Sequence, residues 1–269
     1  MAARKINNEA RVLIIGDAHD SPSLPDKSRF KWIARYASDH DIPFIRSVGD
    51  WATFDSCSQY ESRATVSGRD KPSFEQDMVS LEASILAFRS EFKKGYRPNC
   101  GITLGNHENR VKQWEDDNPE VEGLVYSRLL ELWSQAGFET HEYGEWCYLA
   151  GVGITHVPFN VMGRPYGGQF PDRQIASNAK HSCIWGHTHK GRGPISVPKV
   201  GFNQRIDLLD VGCALPDGHV ERYALNSTTG WTYGVYDLHL KDGLIQSHRF
   251  ISMIDLEKNY AAAKSTPTD

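Results

Sequence analysis

Long apolar runs are missing from this sequence, and so is any excess of basic charge. No stretch approaches the roughly 20 apolar residues of a membrane-spanning helix. Met1-Ala2-Ala3-Arg4-Lys5 leads into polar residues rather than an apolar leader, so a cytoplasmic protein without a membrane partner is expected. Lys and Arg (30) are mixed among Asp and Glu (34), for a net charge of −4. That pattern lacks the basic footprint of a protein that coats nucleic acid non-specifically, though it leaves room for a nucleic-acid substrate held locally. Cysteine is scarce: Cys57, Cys100, Cys147, Cys183 and Cys213 are scattered, odd in number and form no CxxC pair. A zinc ribbon or disulfide framework is thereby disfavoured, and buried free thiols in a reducing compartment are expected. There is no internal repeat and no linker that would divide the 269 residues. A single domain over residues 1–256 with a polar tail at 257–269 is the expected organisation.

What the chain does have is a repeated local pattern: an apolar run, a glycine, then metal-type ligands. Arg11-Val12-Leu13-Ile14-Ile15 reads as a strand buried on both faces and ends in Gly16-Asp17-Ala18-His19. Two residues apart on extended chain, Asp17 and His19 point the same way and can reach one ion. A helical pattern from Pro25 to about Asp39 leads to a second strand, Pro43 to Val48, closed by Gly49-Asp50. Strand, helix and strand in that order fit a βαβ unit, whose ligand-bearing loops gather at the carboxyl ends of the strands.

Residues 55–73 are polar and irregular and read as a long functional loop. A helix is expected from Phe74 to Phe92, followed by the strand Gly101-Ile102-Thr103-Leu104 and then Gly105-Asn106-His107-Glu108. After a charged segment, Asn118-Pro119 is expected to start a helix with Leu124, Val125, Leu129, Leu130, Leu132 and Trp133 on its buried side. Trp146–Leu149 and Val152–Thr155 read as two strands about Gly151, the second ending in His156. Residues 158–173, rich in Gly, Pro and aromatics, suit a loop at a pocket mouth. Ser182–Trp185 is a further strand that closes in Gly186-His187-Thr188-His189. Beyond Ile206 the alternation suggests antiparallel strands with a hairpin at Asp242-Gly243.

Collected, the strand-end groups are Asp17, His19, Asp50, Asn106, His107, His156, His187 and His189. Such a set, without cysteine, suits divalent Mn, Fe, Zn or Ni better than a soft metal. It is too large for one ion. Two ions about 3.5–4 Å apart that share one carboxylate form the arrangement used for in-line displacement at phosphorus. Two divalent cations held by two carboxylates and neutral ligands leave a net positive site, which favours an anionic substrate.

In order, Asp-x-His, Gly-Asp, Gly-Asn-His-Glu, a strand-end His and Gly-His-Thr-His resemble the motifs of calcineurin-like metallophosphoesterases over about residues 11–190. The resemblance implies an α/β fold, a four-layer αββα sandwich with two central mixed sheets. It implies that Asp17, His19 and His189 hold one metal, that Asn106, His156 and His187 hold the other, and that Asp50 bridges them, with Mn the first choice. His107 would not bind metal; it would approach the scissile phosphate, stabilise developing charge and protonate the leaving oxygen.

The sequence departs from the phosphoprotein phosphatases of that superfamily. It lacks their Asp-Arg-Gly after the bridging Asp, where it has Trp51-Ala52-Thr53-Phe54-Asp55, and it has Leu104 where they carry Arg before Gly-Asn-His-Glu. A phosphodiesterase acting on nucleotides or nucleic acid is therefore expected. A phosphomonoesterase or a non-catalytic metal-binding scaffold are the alternatives. Arg110, with Arg164 and Lys190, is a candidate to clamp a phosphate or leaving group. Trp51 could wall the pocket, and Glu108 could orient a ligand histidine. The other histidines (His40, His141, His181, His219, His239, His248) are expected to make ordinary hydrogen bonds.

Overall fold

The computed structural model describes residues 8–60, 64–168, 170–201, 204–225 and 229–261. Strand β1 (Glu9–Ile15) shows why an unbroken apolar run signals burial on both sides. Leu13 and Ile15 face a helical layer, while Val12 and Ile14 face a second sheet. Parallel to β1 run β2 (Phe44–Ser47), β3 (Asn99–Thr103) and β4 (Phe138–His141). On the other side of β1, antiparallel, lie β10 (Gly234–Lys241) and then β11 (Leu244–Ser252), giving the order β11-β10-β1-β2-β3-β4. The second sheet is β5-β6-β7-β9-β8, built from β5 (Cys147–Leu149), β6 (Val152–Ile154), β7 (Cys183–Trp185), β8 (Ile195–Pro198) and β9 (Arg205–Asp210). Both sheets mix parallel and antiparallel pairs.

Helices α1 (Ser28–Asp39), α3 (Phe74–Arg89), α5 (Val125–Gln135) and α7 (Met253–Tyr260) cover the outer face of the first sheet. Phe30, Ile33, Leu81, Phe88, Trp133 and Leu256 fill that interface. Between the sheets lies a dry layer that includes Val48, Val152, Ile154, Ile184, Leu209 and Leu238. The outer face of the second sheet is covered more thinly, by Tyr166 and by Ile175 of α6 (Pro171–Asn178). Four layers result, as the expected αββα sandwich requires. All five cysteines are free and buried. No described helix is long and apolar enough to cross a membrane.

Several local expectations need correction. The charged segment after Gly105 is helix α4 (Asn106–Asp117); only His107, Glu108 and Val111 of it are buried, so it carries no apolar periodicity. The helix expected from Asn118 begins only at Val125, after a 3-10 turn at Pro119–Val121. It buries Leu129 and Trp133 alone, and Leu124 stands exposed. Residues 257–260, expected in the tail, complete α7: Tyr260 meets Tyr36 edge to face, and its carbonyl accepts from Arg35 Nη1 at 2.5 Å. Residues 262–269 of that tail lie outside the described residues. Helix α2 (Val66–Arg69) interrupts the long loop at 55–73.

Candidate metal centre

Every strand-end motif lies just past the carboxyl end of a strand in one of the two sheets, at the same edge of the sandwich. Asp17 and His19 follow β1, Asp50 follows β2, Asn106 and His107 follow β3, His156 follows β6, and His187 and His189 follow β7. Two glycines make the convergence possible. A Cβ on Gly105 would lie 2.0 Å from Asp50 Oδ1, and one on Gly186 would lie 2.1 Å from Asp17 Oδ1. The loops are also strained: His19 (φ +43°), Asp50 (+48°), His187 (+67°) and His189 (+58°) all occupy the left-handed region. Each such non-glycine residue costs about 1–3 kcal/mol and persists only where its surroundings hold it there.

The groups fall into two sets that share Asp50. In the first, His189 Nε2 lies 3.0 Å from Asp17 Oδ2 and 2.9 Å from His19 Nε2. In the second, Asn106 Oδ1 lies 2.9 Å from His156 Nε2 and 2.8 Å from His187 Nδ1. Asp50 Oδ2 stands between the sets, 3.9 Å from His19 Nε2 and 3.4 Å from His156 Nε2. The Asp50 carboxylate is thus within reach of both, as a bridging ligand must be. A third grouping, His19, Asp50 and His107, overlaps the first.

Electrostatics fit a cation at each set. Burial lowers the pKa of every imidazole here, that of His187 to about 3 and that of His189 to about 4, so the rings are neutral and present lone pairs. Burial pushes Asp17 up to about 7 and raises Asp50 as well, Asp17 adding to the effect on Asp50. Packed lone pairs and two carboxylates deprived of water are costly unless a cation joins them. The tautomer of His156 is set from behind: its Nδ1 donates to the Val48 carbonyl at 3.0 Å, which leaves Nε2 for the centre. The amide N–H of His187 donates to both Asp17 oxygens, at 3.1 and 2.9 Å, and that of His107 donates to Asp50 Oδ1 at 2.8 Å.

His107 stands beside the centre, with Nδ1 donating to the Thr53 carbonyl at 2.8 Å and Nε2 at 3.8 Å from Asp50 Oδ2. Arg110, one turn along α4, donates to the same carbonyl at 2.9 Å and to His107 Nε2 at 3.2 Å. Both residues line a cleft of about 1260 Å³ that opens from the centre. The long loop lends Asp55, Tyr60, Arg69 and Lys71 to the lining of the cleft, and His219, Glu221, Arg222 and Leu225 line it as well.

Three expectations change. Trp51 does not wall the pocket: it is fully buried, stacked on Phe30 at 5.1 Å and edge-on to Trp133 at 5.5 Å, with its indole N–H on Ser84 Oγ at 2.9 Å. Glu108 orients no histidine. Its fully buried carboxylate accepts the backbone N–H of Asp50, Ala52 and Gly105 at 2.9, 3.2 and 2.8 Å and so ties the second loop to the third. The described residues of 158–173, Arg164 among them, contribute nothing to the cleft lining, nor does Lys190.

Some residues escaped the sequence reading. His219 and Glu221 line the cleft from a stretch with no strand-end signal. Asp20 is buried, with its carboxylate bound by Lys27 at 2.6 Å, Arg29 at 3.3 Å and Ser80 at 2.8 Å. Its main chain joins the Asp50 loop through Asp20 N to Trp51 O and Thr53 N to Asp20 O. Its place directly after His19 was the available signal. Asp210 accepts the Thr188 hydroxyl and steadies the His187–His189 turn.

In motif order, layer order and placement of the site, the chain resembles the calcineurin-like metallophosphoesterases. No protein-family model matches it, and no curated protein matches it. Among solved structures it is similar to a predicted phosphoesterase from Streptococcus pneumoniae at 12% identity, covering 91% of each chain with a TM-score of 0.36. It is similar to the phosphoesterase Yfce from E. coli at 14% identity, over 90% of this chain and 100% of that one, with a TM-score of 0.37. A third likeness is to the sulfate thiohydrolase SoxB of Thermus thermophilus: 10% identity, 93% of this chain, 59% of that one, TM-score 0.43. The functional reading rests on the site's own residues rather than on these likenesses.

Proposed function

We propose that this protein is a phosphoesterase that works with two divalent cations, Mn the first candidate, and that it hydrolyses phosphodiesters. The observation that carries the reading is the position of the Asp50 carboxylate between the two ligand sets. Asp17, His19 and His189 would hold one cation, and Asn106, His156 and His187 the other, with Asp50 common to both. When bound, such a pair supplies a hydroxide nucleophile and Lewis acidity at phosphorus.

The remaining work falls to side chains of the cleft. Arg110 is placed to pair with a non-bridging phosphoryl oxygen. His107 donates from Nδ1 to the Thr53 carbonyl, so Nε2, which accepts from Arg110 in the free protein, is the atom that would turn to substrate once Arg110 pairs with the phosphate. Burial, with Arg110 next, holds its pKa below the usual range and keeps the ring neutral in the free protein. An anionic ester beside Nε2 would offset the Arg110 charge and so favour delivery of a proton from the ring to the leaving oxygen. The volume of the cleft, about 1260 Å³, exceeds what a phosphate alone needs, which supports a substrate with substituents on the phosphate.

The test combines metal analysis of the purified protein with assays on bis-p-nitrophenyl phosphate and p-nitrophenyl phosphate in Mn. Two metals per chain with faster hydrolysis of the diester is the expected result. Preference for the monoester would replace the diesterase with a phosphomonoesterase. Two bound metals with neither ester cut would leave a metal-binding scaffold.

A further inference from the structure

Beyond the metal ligands the cleft is electrically mixed. Its rim carries the carboxylates of Asp55, Asp70 and Glu221, set among Arg69, Lys71, Arg110 and Arg222. Two of these cations are already engaged. Arg110 Nη1 donates to Asp55 at 3.3 Å and to the Thr53 carbonyl, and Lys71 Nζ donates to the Ser58 carbonyl at 2.7 Å. Glu221 lies 3.4 Å from His219 Nε2, and burial, with Asp55 next, pushes its pKa up to about 7. The loop that bears this pair is anchored, because the Tyr233 hydroxyl donates to the His219 carbonyl at 2.8 Å. A polynucleotide brings a phosphate with every residue and needs a cation for each one that it buries. Here Asp55, Asp70 and Glu221 interrupt the cations of the lining, so a run of phosphates meets no continuous basic track.

The same groups suit a different kind of substituent. Carboxylates and an imidazole accept hydrogen bonds from hydroxyl or amino groups. Tyr60, 90% exposed at the rim, has the Arg110 guanidinium 5.9 Å from its ring centroid and offers a flat face to another ring.

We propose that the cleft selects a small diester with a single phosphate, one of whose alcohols bears a planar ring and hydrogen-bond donors, and that it rejects extended polynucleotides. Asp55 and Glu221 read the donors, and Tyr60 receives the ring. This rests on the phosphodiesterase reading above and narrows it to nucleoside-like esters.

The test measures kcat/KM of the Mn-loaded protein for bis-p-nitrophenyl phosphate, a dinucleoside monophosphate and a single-stranded DNA oligomer. Each is assayed at about 50 and about 200 mM salt, a range over which a multi-phosphate contact loses orders of magnitude. The dinucleoside monophosphate should exceed the oligomer at least tenfold per scissile bond, with less than about threefold change across the salt range. Glu221→Gln and Tyr60→Ala should each lower the ratio of dinucleoside to bis-p-nitrophenyl activity by about tenfold, the size of one lost hydrogen bond or stacking contact. A preference for the oligomer that collapses at high salt overturns the proposal. So does an unchanged ratio in both variants. Hydrolysis of bis-p-nitrophenyl phosphate without the nucleoside ester refutes the selectivity alone. Failure on all three substrates with both metals bound refutes the phosphodiesterase reading and the proposal with it.

Discussion

Replacing Gly105 by alanine adds one methyl group at the place where the third ligand loop passes the second. The backbone of Gly105 (φ −91°, ψ −176°) is open to any residue, so the substitution carries no conformational strain of its own. Its whole effect is contact. The new Cβ would stand 2.5 Å from Asp50 N, 2.7 Å from Asp50 Cγ and 2.0 Å from Asp50 Oδ1. Rotation of the carboxylate cannot clear a main-chain nitrogen. The Asp50 amide must therefore retreat by about 1 Å to restore an ordinary van der Waals distance, carrying the bridging carboxylate with it. Overpacking of this kind costs about 1–3 kcal/mol. For a chain of this length, that lowers Tm by roughly 2–10 °C. Displaced support of a ligand typically weakens metal affinity by about 10–100-fold. Calorimetric titration with Mn, alongside thermal melting of the metal-free protein, reads both quantities. Gly193→Ala is the control, since a Cβ there meets nothing within 4 Å. If Gly105→Ala binds two Mn ions with wild-type affinity, the close packing of these loops is not what sets the bridge.

Other outcomes follow from the same geometry. His107→Ala should retain both metals by elemental analysis yet lose about 10²–10⁴-fold in turnover, the usual weight of a general acid; normal hydrolysis would remove His107 from the mechanism. Trp51→Ala should cost about 3–5 kcal/mol in denaturant unfolding, whereas a changed KM at unchanged stability would return Trp51 to the pocket. In the metal-free protein, Asp17 and Glu108 are held near pKa 7 by burial, so the folded state keeps protons that the unfolded chain has lost. Stability from these groups is complete below the unfolded values of 3.8 and 4.5 and is lost as pH rises through about 7. His187 and His189 work in the opposite sense, losing stability only as pH falls below 6.5 toward their folded values. Melting of the metal-free protein should therefore drop between about pH 6.5 and 8, with Mn giving its largest rescue at the upper end. A metal-free Tm that climbs over that interval would contradict the buried carboxylates.

The centre was legible in the sequence because its chemistry is written in short, local runs. Gly49-Asp50 and Gly105-Asn106-His107 announce a strand tip, a bend and a ligand within a few residues, and strands buried on both faces announce themselves as unbroken apolar stretches. What the sequence hid was polar or distant. Helix α4 buries a histidine, a glutamate and one valine, so no periodic stripe marks it. Strand β4 is an edge strand with a single fully buried residue, Phe138. Trp51 was misplaced because adjacency to Asp50 says nothing of direction: a chain that turns at a ligand sends neighbouring side chains to opposite sides, one to the cleft and one to the core. His219 and Glu221 reach the cleft only through tertiary folding, with Tyr233 holding their loop.

The neighbours of β1 in the first sheet are β2, which follows it closely in sequence, and β10, which lies more than 200 residues away. The turn that carries Asp17 is likewise completed from afar, since Ala214 N donates to the Asp17 carbonyl and Thr232 N to that of His189. During folding the Asp17 loop must therefore wait for segments about 200 residues further along before its geometry can close. Closure of the ligand loops thus depends on late-coming segments, and a chain truncated before β10 should bind Mn poorly even though it already contains all seven proposed ligands.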